Sequence, residues 1–334
     1  MSVRAVDRLR SWHAAWAAAP EPTPSSVPRR CAWRETGFLV GVNLPWVNYG
    51  GDVGANAWRP QGGVGAPSSR AALREHLARI AATGARAVRW FLLCDGRAGI
   101  LRDADGRLAG LDDCAGRDVD AALDELARAK LRAILVLLDF HWFAPARRHA
   151  GVTLGGWRRA GLDIGERRRL IDTVLGPVAA RAGGDAPILA WDLLNEPEWA
   201  TRGFGGTRRG GAVSRRAMRR FLGEAAAAVR DASPHPITVG LASAGGMSLV
   251  RDLALDVYQV HWYDAVDARA PLAMPVTQWG LDRPVLLGEF PTRGSALAPE
   301  AIVAAARRSG YAGAFAWSAL SHDEATGPLR PFGA

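Results

Sequence analysis

Apolar runs of strand length alternate along the chain with segments in which apolar residues recur at helical spacing. Runs without polar alternation are typical of parallel strands that are covered on both faces. Eight such runs occur: 38–44, 87–93, 133–140, 188–196, 236–241, 257–263, 284–289 and 313–317. The helical segments between them run from an N-cap at Ser69 to Gly84, near 117–129, 166–181, 213–230, 247–253 and 268–279, and from Pro299 to Gly310. This alternation predicts a single-domain α/β fold, a (β/α)8 TIM barrel.

The two ends of the chain depart from this alternation. Residues 3–19 have one apolar helical face and residues 20–28 contain four prolines, so we expect a helix and Pro-rich linker over 1–30 and the barrel over 31–334. Residues 318–334 are rich in Gly, Pro and polar side chains, which predicts a last helix that is short or missing. We hypothesise that the N-terminal helix covers the flank left open there; a disordered arm is the alternative.

Composition excludes several classes of function. The net charge of +9 comes almost entirely from arginines spread along predicted helices, with Lys130 as the one lysine and no nucleic-acid motif, so we expect no nucleic-acid partner. No apolar run approaches a membrane span. Cys31, Cys94 and Cys114 form no CxxC pair and indicate neither a disulfide framework nor zinc. We expect a monomer without cofactor or metal, and a cytoplasmic location because residues 1–20 make a poor signal peptide; secretion remains the alternative.

Two glutamates lie at the ends of buried strands. One stands directly before a proline, and the other is separated from a proline by one residue. Asn195 and Glu196 precede Pro197, and Glu289 precedes Phe290 and Pro291. Proline cannot donate to a sheet ladder, so both strands should end there. Because α/β barrels place their chemistry at the carboxyl ends of the strands, the two carboxyl groups should meet at one mouth.

Other strand ends add polar and aromatic groups to the same predicted mouth. A lone histidine or tryptophan is more often a packed core residue than a functional one, but a barrel core has no need for so many polar groups at one end. Five tryptophans lie at or just past strand ends, where their rings can line the same mouth. The candidates are Asn43, Arg89, His141, His261 and Tyr263, with Trp46, Trp142, Trp199, Trp262 and Trp317.

These residues, in this order, resemble the retaining glycosidases of clan A, most closely glycoside hydrolase family 5, the cellulase and mannanase family. The matching positions are Arg89 on strand two, His141 after strand three, Asn195-Glu196 on strand four, His261-x-Tyr263 on strand six, Glu289 on strand seven and Trp317 on strand eight. The resemblance spans about residues 38–320. The missing last helix, the N-terminus and the long loop at 45–67 depart from the pattern.

The resemblance implies a β-glycoside hydrolase that cleaves gluco- or manno-configured chains by double displacement. Glu196 would be the acid/base and Glu289 the nucleophile, kept ionised by Arg89 and Tyr263. Asn195 would bind the sugar 2-hydroxyl, and Trp317 would form the floor under the cleaved sugar. The other four strand-end tryptophans are candidates to stack on a sugar ring. Exo action on short glycosides stays open.

Two other classes of protein remain as rivals. A metal-dependent hydrolase would use His141, Asp192, His261 and Glu289, although the chain has neither HxH nor HExxH. A carbohydrate-binding barrel without turnover would keep the groove but not the geometry of the carboxyl pair.

Overall fold

The structure is a computed structural model that describes residues 37–184, 186–204, 212–264, 272 and 274–330. The predicted N-terminal helix, the Pro-rich linker and Cys31 lie outside these residues. Parallel strands form the centre of the fold: β1 (Leu39–Leu44), β2 (Ala87–Phe91), β3 (Arg132–Val136), β4 (Ile188–Asp192), β5 (Ile237–Thr238 and Gly240–Leu241), β6 (Tyr258–His261), β7 (Val285–Pro291) and β8 (Gly313–Trp317). The (β/α)8 barrel predicted from the sequence is confirmed.

The barrel closes through the two short segments of β5. Pairing runs in sequence order from the second segment of β5 through β6, β7 and β8, then β1 to β4, and ends at the first segment of β5. Only Val239 separates the two segments, so the ring is continuous through the covalent chain. The run predicted at 236–241 is therefore one strand position whose ladder is interrupted in the middle.

The described residues between β5 and β6 and between β6 and β7 contain 3₁₀ turns, and α-helices connect the other consecutive strands. The α-helices are α1 (Pro67–Ala82), α2 (Asp113–Arg128), α3 (Arg158–Leu162), α4 (Ile164–Leu170), α5 (Gly176–Ala180), α6 (Arg215–Ala232) and α7 (Pro299–Arg308). A π-helical turn, Ile171–Leu175, joins α4 to α5, so the helix predicted at 166–181 is divided. Short 3₁₀ turns occur at Phe140–Phe143, Pro197–Ala200, Ala244–Leu249 and Val276–Trp279.

Two local predictions need correction, and two hairpins were missed. Ser69 is not an N-cap: α1 begins at Pro67 after Ala66, and the Ser69 hydroxyl instead accepts a hydrogen bond from Arg59. The helix predicted at 247–253 is the 3₁₀ turn Ala244–Leu249. Two hairpins were not predicted, Ile100–Arg102 with Leu108–Leu111 and Arg147–His149 with Val152–Leu154, because each strand is too short to show a period.

Side-chain alternation gives the barrel interior a polar layer above an apolar one. Residues two apart on a strand point to the same side, so the side chains of Ala87, Ala190 and Val257 are followed by those of Arg89, Asp192 and Gln259. Ala87, Ala190 and Val257 belong to a small apolar cluster with Leu39, Ile134, Leu189, Leu286 and Phe315. The polar layer lies on the side of the carboxyl ends, and it supports the functional site.

The last described segment, residues 318–330, contains no helix, as the sequence predicted. Among the described residues, no helix is both long and apolar enough to span a membrane.

Candidate active site

A cleft of about 660 Å³ opens at the carboxyl ends of the strands. Of the residues predicted from the sequence, the ones that line it are Trp46, His141, Asn195, Glu196, Trp199, Tyr263, Glu289 and Trp317. Phe91, Asp95, Arg97, Asp139, Arg147 and the segment 323–325 also line it and were not predicted.

Glu196 and Glu289 face each other across this cleft. One carboxylate oxygen of each, together with a ring nitrogen of His261, lie within 4.8 Å of one another. Retaining glycosidases hold their two carboxyl groups about 5–5.5 Å apart, whereas inverting enzymes leave about 6.5–9.5 Å for a water molecule. The separation therefore fits direct attack by one carboxylate on the anomeric carbon.

Local irregularities of the backbone orient the side chains of both glutamates toward the cleft. β4 ends at Asp192, and Glu196 adopts a left-handed conformation (φ 47°, ψ 56°) just before Pro197. This conformation is costly for a residue with a β-carbon, and such strain concentrates at functional sites. On β7, Gly288 and Glu289 together oppose a single residue of β8, which is a β-bulge. A β-carbon on Gly288 would lie 2.5 Å from Gln259 Cγ, so a larger residue there would displace the Gln259 side chain.

Arg89 hydrogen-bonds Glu289 from the polar layer inside the barrel. Its Nη1 donates to Glu289 Oε1 at 2.6 Å and to Asn43 Oδ1 at 3.1 Å, and its Nη2 donates to Asn195 Oδ1 at 2.7 Å. Its Nε and Nη2 also bind Asp192 Oδ2, at 3.1 and 2.9 Å. The guanidinium is fully buried, so all of its charge is balanced by these protein groups.

Tyr263 and burial act on the same carboxylate. Burial raises the pKa of Glu289 above its ordinary value, although His261, Arg89 and a hydrogen bond from Tyr263 oppose the rise. Tyr263 Oη donates to Glu289 Oε2 at 2.8 Å. The predicted contacts of Glu289 with Arg89 and Tyr263 are therefore present.

Glu196 is held by two ring nitrogens. Trp199 Nε1 donates to Glu196 Oε2 at 2.8 Å, and His261 Nδ1 lies 2.9 Å from Glu196 Oε1. Burial lowers the pKa of His261 to about 4, so its ring is neutral at pH 7. A neutral ring can accept the Glu196 proton or donate to the ionised carboxylate, depending on its tautomer.

Asp139 links the ends of β3 and β4. It accepts a hydrogen bond from Asn195 Nδ2 at 2.8 Å and a short one from the ring of His141. Asn195 is thus fixed from both ends of its amide, by Arg89 and by Asp139. His141 stays partly exposed and stacks on Phe140, which leaves its other ring nitrogen available at the cleft.

Two predicted tryptophans do not reach the cleft. Trp142 is 1% exposed and packs on Trp157 at 5.6 Å, because the 3₁₀ turn Phe140–Phe143 turns its ring into the core. Trp262 is 3% exposed, since it follows His261 and points to the opposite side of β6. The prediction that Trp142 and Trp262 bind sugar is therefore wrong. Asn43 is also fully buried, and it contacts Arg89 rather than the cleft.

A third acidic residue lies just behind Glu196. Burial raises the pKa of Glu198 to about 8, and the nearby Glu196 adds to the rise. Its Oε2 is buried without a hydrogen-bond partner among the described residues. Glu198 was not predicted from the sequence; its place two residues after Glu196 in Asn-Glu-Pro-Glu was the available signal.

One set of residues in the described part of the chain has ligand atoms close enough for a metal ion: Glu196, His261 and Glu289. A cation there would lie beside the Arg89 guanidinium, which already neutralises Glu289, and this opposes a divalent site. The set proposed for a metal-dependent hydrolase does not assemble, because Asp192 is buried against Arg89 and His141 pairs with Asp139.

Comparison with known proteins gives the class. No family model matches the chain. A mannan endo-1,4-beta-mannosidase from Mytilus edulis is 26% identical over 323 residues, which cover 84% of this chain and 83% of that protein. An endo-1,4-beta-mannanase structure from Eisenia fetida has 25% identity and a TM-score of 0.70, and the match covers 86% of this chain and 87% of the other. The Mytilus edulis beta-mannanase structure shares the fold, with a TM-score of 0.69, 23% identity, and 85% and 88% of the two chains covered.

The barrel, the carboxyl pair and these similarities make the chain an O-glycosyl hydrolase. These similarities agree with the resemblance of the sequence to the retaining β-glycosidases of clan A, family 5.

Proposed function

We propose that the chain is an endo-acting hydrolase of β-1,4-linked mannan chains, with Glu289 as nucleophile and Glu196 as acid/base. The observation that carries the roles is the approach of one oxygen of each carboxylate to within 4.8 Å of the other; of the two glutamates, Glu289 is the one that Arg89 and Tyr263 hydrogen-bond. The names of the relatives from Mytilus edulis and Eisenia fetida support the choice of substrate.

In the first step, a Glu289 oxygen attacks the anomeric carbon while Glu196 gives its proton to the leaving oxygen. The glycosidic bond breaks, the covalent glycosyl-enzyme forms, and Glu196 becomes a carboxylate. That charge is stabilised by the hydrogen bond from Trp199. In the second step, Glu196 takes a proton from water, which attacks the same carbon and releases Glu289 with overall retention.

The residues around the two glutamates bind and position the substrate and take no part in making or breaking bonds. Trp317 lines the cleft with Glu289, and its indole is the proposed floor for the sugar that becomes attached. Trp199 is bonded to Glu196, so its ring is placed on the leaving-group side. Asn195 Nδ2 donates one hydrogen to Asp139, and we assign its second hydrogen to the sugar 2-hydroxyl.

The substrate is tested by hydrolysis of manno-, gluco- and xylo-oligosaccharides of four to six sugars, with product lengths measured over time. Release of internal fragments from the manno series first is the expected result. Release of single sugars from one end only would contradict endo action, and preference for gluco chains would contradict the mannan assignment.

The roles are tested by two substitutions. Glu289→Ala should abolish turnover, and added azide should restore part of it as a glycosyl azide of inverted configuration. Glu196→Ala should spare nitrophenyl glycosides, whose leaving group needs no proton, far more than natural chains. Equal losses on both substrates would remove Glu196 from the acid role, and bound but uncleaved sugar in the unmodified protein would favour the carbohydrate-binding alternative.

A further inference from the structure

The chain after β8 turns back across the mouth of the barrel. The backbone N–H groups of Thr292 and Arg293 donate to Ala325 O at 2.9 and 3.1 Å, and Arg293 Nη2 donates to Asp323 O at 2.8 Å. Thr292 directly follows β7, so residues 323–325 are fastened to the strand that carries Glu289. The same three residues line the cleft.

The carboxylate of Asp323 is fully engaged by the protein. Its Oδ2 accepts hydrogen bonds from Trp317 Nε1 at 2.7 Å and Ser321 Oγ at 2.8 Å. Its Oδ1 accepts from Ala325 N and Thr326 Oγ1, both at 3.0 Å. An ionised carboxylate has about four acceptor sites, and these four donors fill them. Asp323 is therefore unsuited to bind a sugar hydroxyl directly.

The charge state of Asp323 agrees with this arrangement. Partial burial would raise the pKa of Asp323, but the hydrogen bonds from Trp317, Ser321 and their neighbours bring it below its ordinary value. The carboxylate is thus ionised at neutral pH and forms a charge-assisted bond with the indole N–H.

Trp317 is held through both its backbone and its ring. Its backbone carbonyl accepts from Thr292 Oγ1 at 2.7 Å, and its ring meets Phe91 edge to face at 6.4 Å. Of these contacts, only the bond to Asp323 holds the N–H edge of the ring. Without it, the ring could tilt about its own side-chain bond while the backbone stays in place.

We propose that Asp323 is a positioning residue that fixes the Trp317 indole as a sugar-binding platform and ties it to the nucleophile strand. This inference rests on the proposed function, because it gives Trp317 the sugar. A tilt of a platform ring misplaces the anomeric carbon relative to Glu289, and small misplacements are costly for turnover.

A double-mutant cycle tests the link, with Asp323→Asn, Trp317→Phe and the double variant compared on mannotetraose. Asp323→Asn keeps the shape but weakens a charge-assisted hydrogen bond, so kcat/KM should fall about tenfold. In the Trp317→Phe background no N–H remains, and adding Asp323→Asn should then cost less than about twofold. Asp105→Asn, on an exposed hairpin far along the chain, is the matched control and should leave kcat/KM unchanged. An equal loss from Asp323→Asn in both backgrounds would overturn the proposal.

A second measurement does not depend on turnover. The indole N–H resonance of Trp317, assigned by its disappearance in Trp317→Phe, should move in Asp323→Asn and stay in place in Asp105→Asn. A resonance unmoved by Asp323→Asn would also overturn the proposal. If the unmodified protein cleaves no mannan, the proposed function fails, and the resonance still decides whether Asp323 holds the ring. If it cleaves mannan but the cycle shows no coupling, only the role of Asp323 fails.

Discussion

Glu198 offers a test of the electrostatics behind the active site. Its carboxyl group is almost fully buried, and burial raises its pKa from 4.5 to about 8. Ser243 N lies 3.4 Å from Oε1, Oε2 has no partner among the described residues, and a β-carbon on Gly246 would lie 1.8 Å from Oε1. The side chain is therefore enclosed in a space that solvates a neutral acid better than a carboxylate.

This pKa makes the stability of the folded protein depend on pH. Below pH 4.5 Glu198 is protonated in both the folded and the unfolded chain and contributes nothing. Above it, the unfolded chain ionises while the folded chain keeps its proton, so the free energy of unfolding falls until the pH reaches about 8. At 1.36 kcal/mol for each pH unit, the loss amounts to about 3 kcal/mol at pH 7 and about 4–5 kcal/mol above pH 8.

Glu198→Gln removes this loss because glutamine is neutral throughout. We expect the free energy of unfolding of the variant, relative to the unmodified protein, to rise by about 3 kcal/mol between pH 4.5 and 7. Urea denaturation followed by tryptophan fluorescence at half-unit pH steps measures the difference. Glutamine also introduces an amide group, which adds an offset that does not vary with pH, so the slope is the informative quantity.

Glu75→Gln, on the exposed face of α1, is the matched control and should give no such slope. A difference between Glu198→Gln and the unmodified protein that stays constant from pH 4.5 to 8 would refute the reasoning. It would mean that water reaches the carboxyl group and that Glu198 ionises as an ordinary glutamate does.

Two further predictions concern other carboxylates. Tyr263→Phe removes a hydrogen bond that lowers the pKa of Glu289, so the acid limb of kcat/KM against pH should move to higher pH; an unmoved limb would show that Glu289 does not set it. Hydrogen bonds from Arg74 and Arg70 lower the pKa of the buried Glu125 to about 2, a stabilisation present above pH 4.5 and lost as the pH falls toward 2. Glu125→Gln should therefore lower the melting temperature most at pH 7 and progressively less below pH 4.5, and a pH-independent loss would count against the ion pairs.

The sequence predicted the barrel and the residues at its carboxyl ends because both follow from simple periods. Unbroken apolar runs mark buried parallel strands, and a glutamate near a proline at the end of such a run marks the mouth. Arg89, Asn195 and Glu289 were therefore assigned to one place although they are far apart in the chain.

What the sequence could not predict depends on turns. Trp142 and Trp199 both follow strand ends, yet the 3₁₀ turn Phe140–Phe143 buries the first and the turn Pro197–Ala200 places the second at the cleft. Asp323 lies in a segment of Gly, Pro and polar residues without any period. Its position comes from backbone hydrogen bonds to the end of β7, which no local pattern encodes.

The buried Arg89 connects the barrel to the reactivity of Glu289. Asp192 accepts hydrogen bonds from Arg89, from Gln259 Nε2 at 2.8 Å and from Gly240 N at 2.9 Å, so its carboxylate is anchored by β2, β5 and β6. A β-carbon on Gly240 would lie 2.6 Å from Arg89 Nη2, and the absence of that carbon leaves room for the guanidinium. One buried cation thus serves two buried carboxylates, and the share that Asp192 takes is not available to Glu289. Burial and the nearby charge of Glu196 raise the pKa of Glu289 even though Arg89 lies 2.6 Å away. The Glu289 carboxylate is therefore weakly stabilised as an anion. A weakly stabilised carboxylate loses less stabilisation when it forms a covalent bond to the sugar.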